Sequence, residues 1–271
     1  MRNLRDRVAV VTGAASGIGR ATAIALAERG CDLALADLDE VGLQSTARRI
    51  EELGRRATTH VVDVADRRRM EAFVGEVVAA HGAVHIVVNN AGVSVTANLE
   101  DHSLEDFEWL VGVNLWGVVH GCKLFLPHLK AAGEGHIVNI SSMFGLIGLP
   151  SQSSYCATKF AVRGFSESIR AELAPHNIGV TSVHPGGINT NIVKNSRFTE
   201  EQSGQRARVE KFFATKTLPP ERCAAKIVRG IEHNAARVLV APETYLTDIA
   251  KRIAPSITNA VLAPIRRRLG I

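Results

Sequence analysis

The apolar positions of this chain fall into two rhythms. Short aliphatic runs appear at Arg7–Val11, Asp32–Ala36, Ala57–Val62, Val84–Val88, Gly135–Ile140, Gly179–Val183 and Arg237–Ala241. Runs with so little polar interruption predict strands buried on both faces of a parallel sheet. Between them lie stretches with helical spacing and one charged side: Arg20–Arg29, Glu40–Leu53, Arg67–His81, Leu104–Ala132 and a helix opening near Tyr155. Strands alternating with helices predict an α/β fold built on a doubly wound parallel sheet.

Length supports one large domain. The chain has 271 residues, of which 46% are hydrophobic and 22% charged, enough to fill a single core. We assign residues 1–241 to this domain, including a polar, weakly patterned segment at 191–217 placed where a substrate loop would be. Residues 242–271 form a helical C-terminal extension in which Leu246, Ile249, Ile253, Ile257, Val261, Ile265 and Leu269 recur every three or four positions, broken by Pro255 and Pro264. The stripe is expected to pack over the substrate cleft or a subunit interface, in preference to lying as a basic amphipathic segment on a membrane.

Charge and cysteine use narrow the class further. The net charge of +5 includes clusters at Arg67–Arg69 and Arg266–Arg268; without interleaved aromatics these read as solvated surface, and no nucleic-acid partner is expected. No uninterrupted apolar run approaches the roughly 18 residues of a membrane span. Cys31, Cys122, Cys156 and Cys223 are far apart, with no Cys-x-x-Cys and no secretory leader before them. Reduced thiols in the cytoplasm are expected, and no metal site.

The candidate chemistry sits where strands end. After the first strand comes Thr12-Gly13-Ala-Ala-Ser16-Gly17-Ile18-Gly19, then a helix. A strand, a glycine loop and a helix place a pyrophosphate against free N–H groups at the helix N-terminus. Asp37 ends the second strand, close to the 20 or so residues beyond the loop at which an acid binds a ribose 2′-hydroxyl and repels a 2′-phosphate. This favours NAD over NADP. Asp39 and Glu40 follow, and they equally suit a helix N-terminus. Asp63, at the end of the third strand, could cap a helix or accept from an adenine amino group. Asn89-Asn90-Ala91-Gly92 ends the fourth; its amides could stitch strand ends or touch a cofactor. Asn114 stands in an apolar helical context, where it must be satisfied by backbone or hold a water. Ser142 follows the fifth strand, and Tyr155 and Lys159 are four apart on a helix, one turn above each other. A fixed cation beside a phenol favours phenolate and moves the group toward a working range for proton transfer. The sixth strand, Gly179–Val183, ends in His184-Pro185-Gly186-Gly187-Ile188-Asn189-Thr190 on the same edge.

Together, and in this order over residues 5–241, these motifs resemble the short-chain dehydrogenase/reductase family. The resemblance implies a Rossmann-type fold, a nicotinamide cofactor and hydride exchange with a secondary alcohol or a carbonyl. It makes Tyr155 the acid/base, Lys159 its partner and a binder of the nicotinamide ribose, Ser142 the holder of the substrate oxygen, and Asn114 the positioner of a water linking Lys159 to solvent. Gly13, Ser16, Gly17, Ile18 and Gly19 would cradle the phosphates, Asp37 the adenosine ribose, and Asp63 and Val64 the adenine. Asn90, Ala91 and Gly92 would line the cofactor, while Pro185, Gly186, Ile188 and Thr190 would meet the carboxamide end. It also implies a homodimer or homotetramer formed through the helices carrying Asn114 and Lys159. Phe144, Leu146, Ile147 and Leu149 suggest an apolar small-molecule alcohol or ketone as substrate, or a packed core. An NADP-linked carbonyl reductase runs the same site backwards; a dinucleotide sensor without turnover is the alternative of another class.

Overall fold

A computed structural model describes residues 1–190, 192, 196–198 and 217–256. Seven parallel strands form one sheet: β1 (Val8–Thr12), β2 (Asp32–Asp37), β3 (Ala57–Val61), β4 (Ile86–Asn89), β6 (Gly135–Ile140), β7 (Ile178–His184) and β9 (Arg237–Leu239), in the order β3-β2-β1-β4-β6-β7-β9. The alternation of side chains splits each strand between two cores. In β1, Ala9 and Val11 join Leu26, Leu35, Leu43 and Ile227 on one face. Val10 points to the other, with Phe73, Phe125, Leu129 and Val162. A strand buried on both faces cannot afford polar alternation, which is why these runs read as continuous.

The helices that cover the sheet are α1 (Gly17–Ala27), α2 (Glu40–Glu52), α3 (Arg67–His81), α4 (Leu104–Val111), α5 (Gly117–Ala131), α6 (Ser153–Leu173), α7 (Pro220–Glu232) and α8 (Pro242–Ile253). Local chemistry sets their ends. Asp39 accepts from the Gly42 N–H to cap α2, and Asp66 accepts from Arg68 and Arg69 to cap α3; such caps contribute about 1 kcal/mol each.

Three features depart from the sequence reading. The stretch expected as one helix from Leu104 to Ala132 is α4 and α5 joined by a π-helical turn, Gly112–Trp116, that contains Asn114. By length and composition the 28 residues Leu104–Ala131 could cross a membrane, a looser test than an uninterrupted apolar run. Leu110, Val118, Phe125 and Leu129 are buried in the fold, however, as in a core helix. A second, two-stranded parallel sheet pairs β5 (Val95–Thr96) with β8 (Arg197–Phe198), and α7 precedes the last strand; none of these was expected. The rest of the 191–217 segment, and the apolar positions Ile257, Val261, Ile265 and Leu269, lie outside the described residues.

Strand order reverses between β1 and β4. The crevice outside the carboxyl ends there is the switch point at which open α/β sheets bind ligands.

Candidate active site

The glycine loop is built by close approach. Gly13 and Gly17 adopt φ of +65° and +53°, which favour glycine. A Cβ on Gly19 would lie 2.0 Å from the Gly13 carbonyl oxygen and 2.5 Å from Asn90 Nδ2, so the helix can start this near the strand only without one. Asn90 then stitches the switch point, its Nδ2 donating to the carbonyls of Thr12 (2.9 Å) and Gly13 (3.1 Å). Thr12 Oγ1 returns the link by accepting from the N–H groups of Asn90 and Ala91. Thr12, which opens the loop motif but was given no role from sequence, is thus a structural member of the site.

Asp37 borders this loop. Its Oδ2 accepts from the Ala15 N–H at 2.9 Å, and its Oδ1 accepts from Leu38 and Asp39. The carboxylate of Asp39 caps α2 instead, so the acids after β2 are divided between two tasks. Asp63 is exposed and caps its own turn, accepting from the Ala65 N–H; the helix cap is Asp66. Val64 and Ile188 have buried side chains, 6% and 3% exposed, packed in the two cores. Any contact of these two residues with a ligand would run through their backbone groups. Thr190 lies against the glycine loop, its Cγ2 3.1 Å from where a Gly17 Cβ would be. Ser16 precedes α1 in extended conformation and Ile18 packs on the core.

At the other side of the crevice the proton-transfer groups converge. Lys159 is only 3% exposed; its Nζ donates to the Ile140 carbonyl at 3.0 Å and lies 5.6 Å from the centre of the Tyr155 ring. The Ser142 hydroxyl stands near Tyr155 and accepts from the Phe144 N–H. Gly145 lets this loop reach the helix, since a Cβ there would lie 2.3 Å from Ser141 Oγ and 2.7 Å from the Lys159 carbonyl oxygen. Ser141 fastens the same junction by donating to that carbonyl at 2.7 Å. Behind them, Asn114 is fully buried, its Oδ1 accepting from the Val93 N–H (2.8 Å) and its Nδ2 donating to the Val93 carbonyl (2.9 Å) and, at 3.5 Å, to Thr158 Oγ1. Gly92 keeps the space between Asn114 and Lys159 open: a Cβ on it would lie 3.2 Å from Asn114 Oδ1 and 3.5 Å from Nζ.

The electrostatics differ from expectation. Burial pushes the Tyr155 phenol up to about 12, although the nearby Ser142 hydroxyl pulls the other way. Burial also brings the Lys159 ammonium down to about 8. The sequence reading gave the neighbouring cation the larger effect and expected phenolate. Here desolvation outweighs the cation: Lys159 is buried and Tyr155 half-buried, and each loses water around its charged form, so Tyr155 holds its proton at neutral pH.

Two further elements shape the rim. The Pro185–Gly187 turn is held by the extension: Glu243 accepts from the Gly187 N–H at 3.0 Å, and a Cβ on Gly186 would lie 2.7 Å from Thr244 Oγ1. His184, held neutral by burial at about 4, places its Nδ1 3.1 Å from the Ser142 carbonyl oxygen. On the substrate side, Phe144 meets the Tyr155 ring edge-on at 6.2 Å. Leu146 and Ile147 are buried, at 2% and 8% exposure, so the apolar run is divided between lining and core. Gln152 Nε2 donates to Thr96 Oγ1 at 2.8 Å, and the Arg197 guanidinium stacks 3.7 Å from the Trp109 ring while pairing with Asp106. No pattern in the sequence marked these two.

Comparison with known proteins agrees with this geometry. A family model described as short chain dehydrogenase matches residues 7–201. SadH of Mycobacterium tuberculosis is 44% identical over 267 residues, covering 97% of this chain and 96% of SadH. The C alpha-dehydrogenase of Sphingobium sp. strain SYK-6 is 33% identical over 253 residues, covering 90% of this chain and 83% of that protein. A short chain dehydrogenase/reductase from Burkholderia phymatum, solved in complex with NAD, superimposes with a TM-score of 0.89 at 28% identity, covering 95% of this chain and 97% of the other.

Proposed function

The chain belongs to the short chain dehydrogenase family, and on that premise we propose that it exchanges hydride between NAD(H) and an apolar secondary alcohol or the corresponding carbonyl. The observation that carries this reading is the meeting of Ser142, Tyr155 and Lys159 at the carboxyl edge of the sheet, across the crevice from the glycine loop. The crevice suits a dinucleotide. Gly13, Gly17 and Gly19 remove the Cβ at three positions of the loop, and among the described residues the Lys159 ammonium gives one of its three hydrogens, to Ile140. Gly13 to Gly19 would hold the phosphates, Asp37 the adenosine ribose, Lys159 the nicotinamide ribose, and Asn90 to Gly92, with Pro185 to Thr190, the walls. When bound, the nicotinamide supplies or takes up the hydride.

The chain's own groups handle the oxygen and its proton. The Ser142 hydroxyl holds the substrate oxygen, and Tyr155, protonated at rest, donates to it as a carbonyl is reduced; in oxidation the same phenol must first lose that proton. Lys159 opposes the growing negative charge on the phenol from one helical turn away. The Asn114 amide is committed to Val93 and Thr158, so a water leading from Lys159 to solvent would rest on the Asn114 main chain. Phe144, Leu149 and the exposed Leu99 argue for a lipophilic substrate.

NAD preference follows from charge. Asp37 repels a 2′-phosphate, and the nearby Arg20 guanidinium is engaged by Ala15, Gly42 and Thr46. The B. phymatum relative was solved with NAD. The test is titration with NADH and NADPH by nicotinamide fluorescence, repeated on Asp37→Ala. Tighter NADH binding that the substitution relaxes supports the reading; NADPH preference refutes it.

We further infer that residues 1–241 act as the catalytic unit and 242–271 as an extension of separate role. The exposed Trp116 and Phe160, at 53% and 39%, favour a homo-oligomer through the α5 and α6 surfaces. Four buried free thiols fit a cytoplasmic setting.

A further inference from the structure

The turn that follows β3 is held by one face of the α4–α5 helix. Gly112 opens the π-helical turn and Gly117 follows it, and both bring the helix backbone against Asp63–Ala65. A Cβ on Gly117 would lie 2.6 Å from Val64 Cγ2, and one on Gly112 would lie 3.4 Å from Ala65 Cβ. Three residues further on, His120 Nδ1 lies 2.9 Å from the Val64 carbonyl oxygen. A carbonyl only accepts, so Nδ1 carries the hydrogen and donates it. The N–H of the same peptide, on Ala65, donates to Asp63 Oδ1 at 2.9 Å. The Val64–Ala65 peptide is therefore pinned at both its polar ends, and the Asp63 carboxylate is tied to it.

The place of this turn gives the pinning a use. The Val62 N–H donates to the Asp37 carbonyl at 3.0 Å, so Asp63–Ala65 is the next turn along the carboxyl edge beyond Asp37. A base carried by a ribose at Asp37 would lie against it. The turn offers a donor beside an acceptor: among the described residues the Val64 N–H has no partner, and the exposed Asp63 carboxylate has a second oxygen besides the one bonded to Ala65. Adenine presents the complementary edge, an acceptor at N1 beside a donor at N6, whereas hypoxanthine presents the reverse. We propose that His120 is a positioning residue for coenzyme recognition: by holding the Val64 carbonyl it keeps the Val64 N–H and the Asp63 carboxylate in register, and so selects an adenine dinucleotide. The proposal rests on the nicotinamide dinucleotide reading of the crevice and concerns its far end.

The experiment is titration of the full chain with NADH and with reduced nicotinamide hypoxanthine dinucleotide, which differs only at the base, followed by nicotinamide fluorescence. Wild type, His120→Ala, His120→Asn and Gly117→Ala are compared. The expected result is a wild-type preference for NADH of roughly tenfold that narrows to about twofold in His120→Ala. His120→Asn, whose amide can donate from nearly the same place, keeps most of the preference. Gly117→Ala displaces Val64 through a different contact and loses it. Affinity for the hypoxanthine dinucleotide stays at the wild-type level in every variant, which a general loss of structure would not spare. Equal binding of the two dinucleotides by wild type, an unchanged preference in His120→Ala, or equal weakening of both dinucleotides in the His120 variants overturns the proposal. Binding of neither by wild type overturns the dinucleotide reading itself, and the proposal with it.

Discussion

Lys159 is held at a cost that a pH titration of stability can read. A lysine whose ordinary pKa is near 10.5 titrates at about 8 here because burial disfavours its charge. The unfolded chain therefore binds the proton more readily, and stability rises with pH through the window between those values. At about pH 7.5 the charging penalty is about 3 kcal/mol, and at about pH 9.5 it has fallen to about 1 kcal/mol. With only 3% of the residue exposed, solvent screening takes little from this figure. Lys159→Met removes the titrating group while keeping a long, buried side chain. Urea denaturation of both proteins at the two pH values isolates the effect, since thiols and other groups contribute equally to each. Wild type should gain about 2 kcal/mol relative to the variant between about pH 7.5 and 9.5. A difference that stays constant with pH would refute the claim that burial governs this ammonium.

Gly19→Ala places a Cβ against the Gly13 carbonyl and should weaken NADH binding by about tenfold or more, as one decade follows from 1.4 kcal/mol of displaced loop; the fluorescence titration checks it. Burial keeps His136 and His184 neutral down to about 3 and about 4. The unfolded chain takes those protons first, so stability should fall as pH drops below about 6.5, by about 4 kcal/mol for the pair at about pH 5; a flat denaturation profile over this range would contradict it.

What was legible follows from physics that is local in sequence. The continuous aliphatic runs of β1, β4 and β6 reported burial on both faces; the glycine loop, Asp37 and Ser142 lay at run ends, where topology gathered them, and Tyr155 with Lys159 followed at helical spacing on the next helix. Two-residue strands such as Val95–Thr96 and Arg197–Phe198 are too short to carry a period, and their pairing is decided by tertiary contact. Helix α7 does carry one, in Cys223, Ala224, Ile227, Val228 and Ile231, all buried; it was overlooked beside the unpatterned loop before it. Leu246, Ile249 and Ile253 of α8 were visible as a stripe, and they face outward, 70%, 54% and 79% exposed. That direction was not legible, because Glu243 and Asp248 set it through partners at Gly187 and Arg237. Likewise the sign of the Tyr155 shift depends on whether burial or the cation dominates, and spacing does not say.

The central claim is that Tyr155 moves the proton while the crevice binds a nicotinamide dinucleotide. Tyr155→Phe removes one oxygen and leaves the ring against Phe144. Turnover of NADH with apolar ketones, or of NAD with the corresponding alcohols, should fall by roughly a hundredfold to ten-thousandfold, the usual range for loss of a general acid, while NADH binding stays at the wild-type level. Retained turnover in Tyr155→Phe would contradict the account.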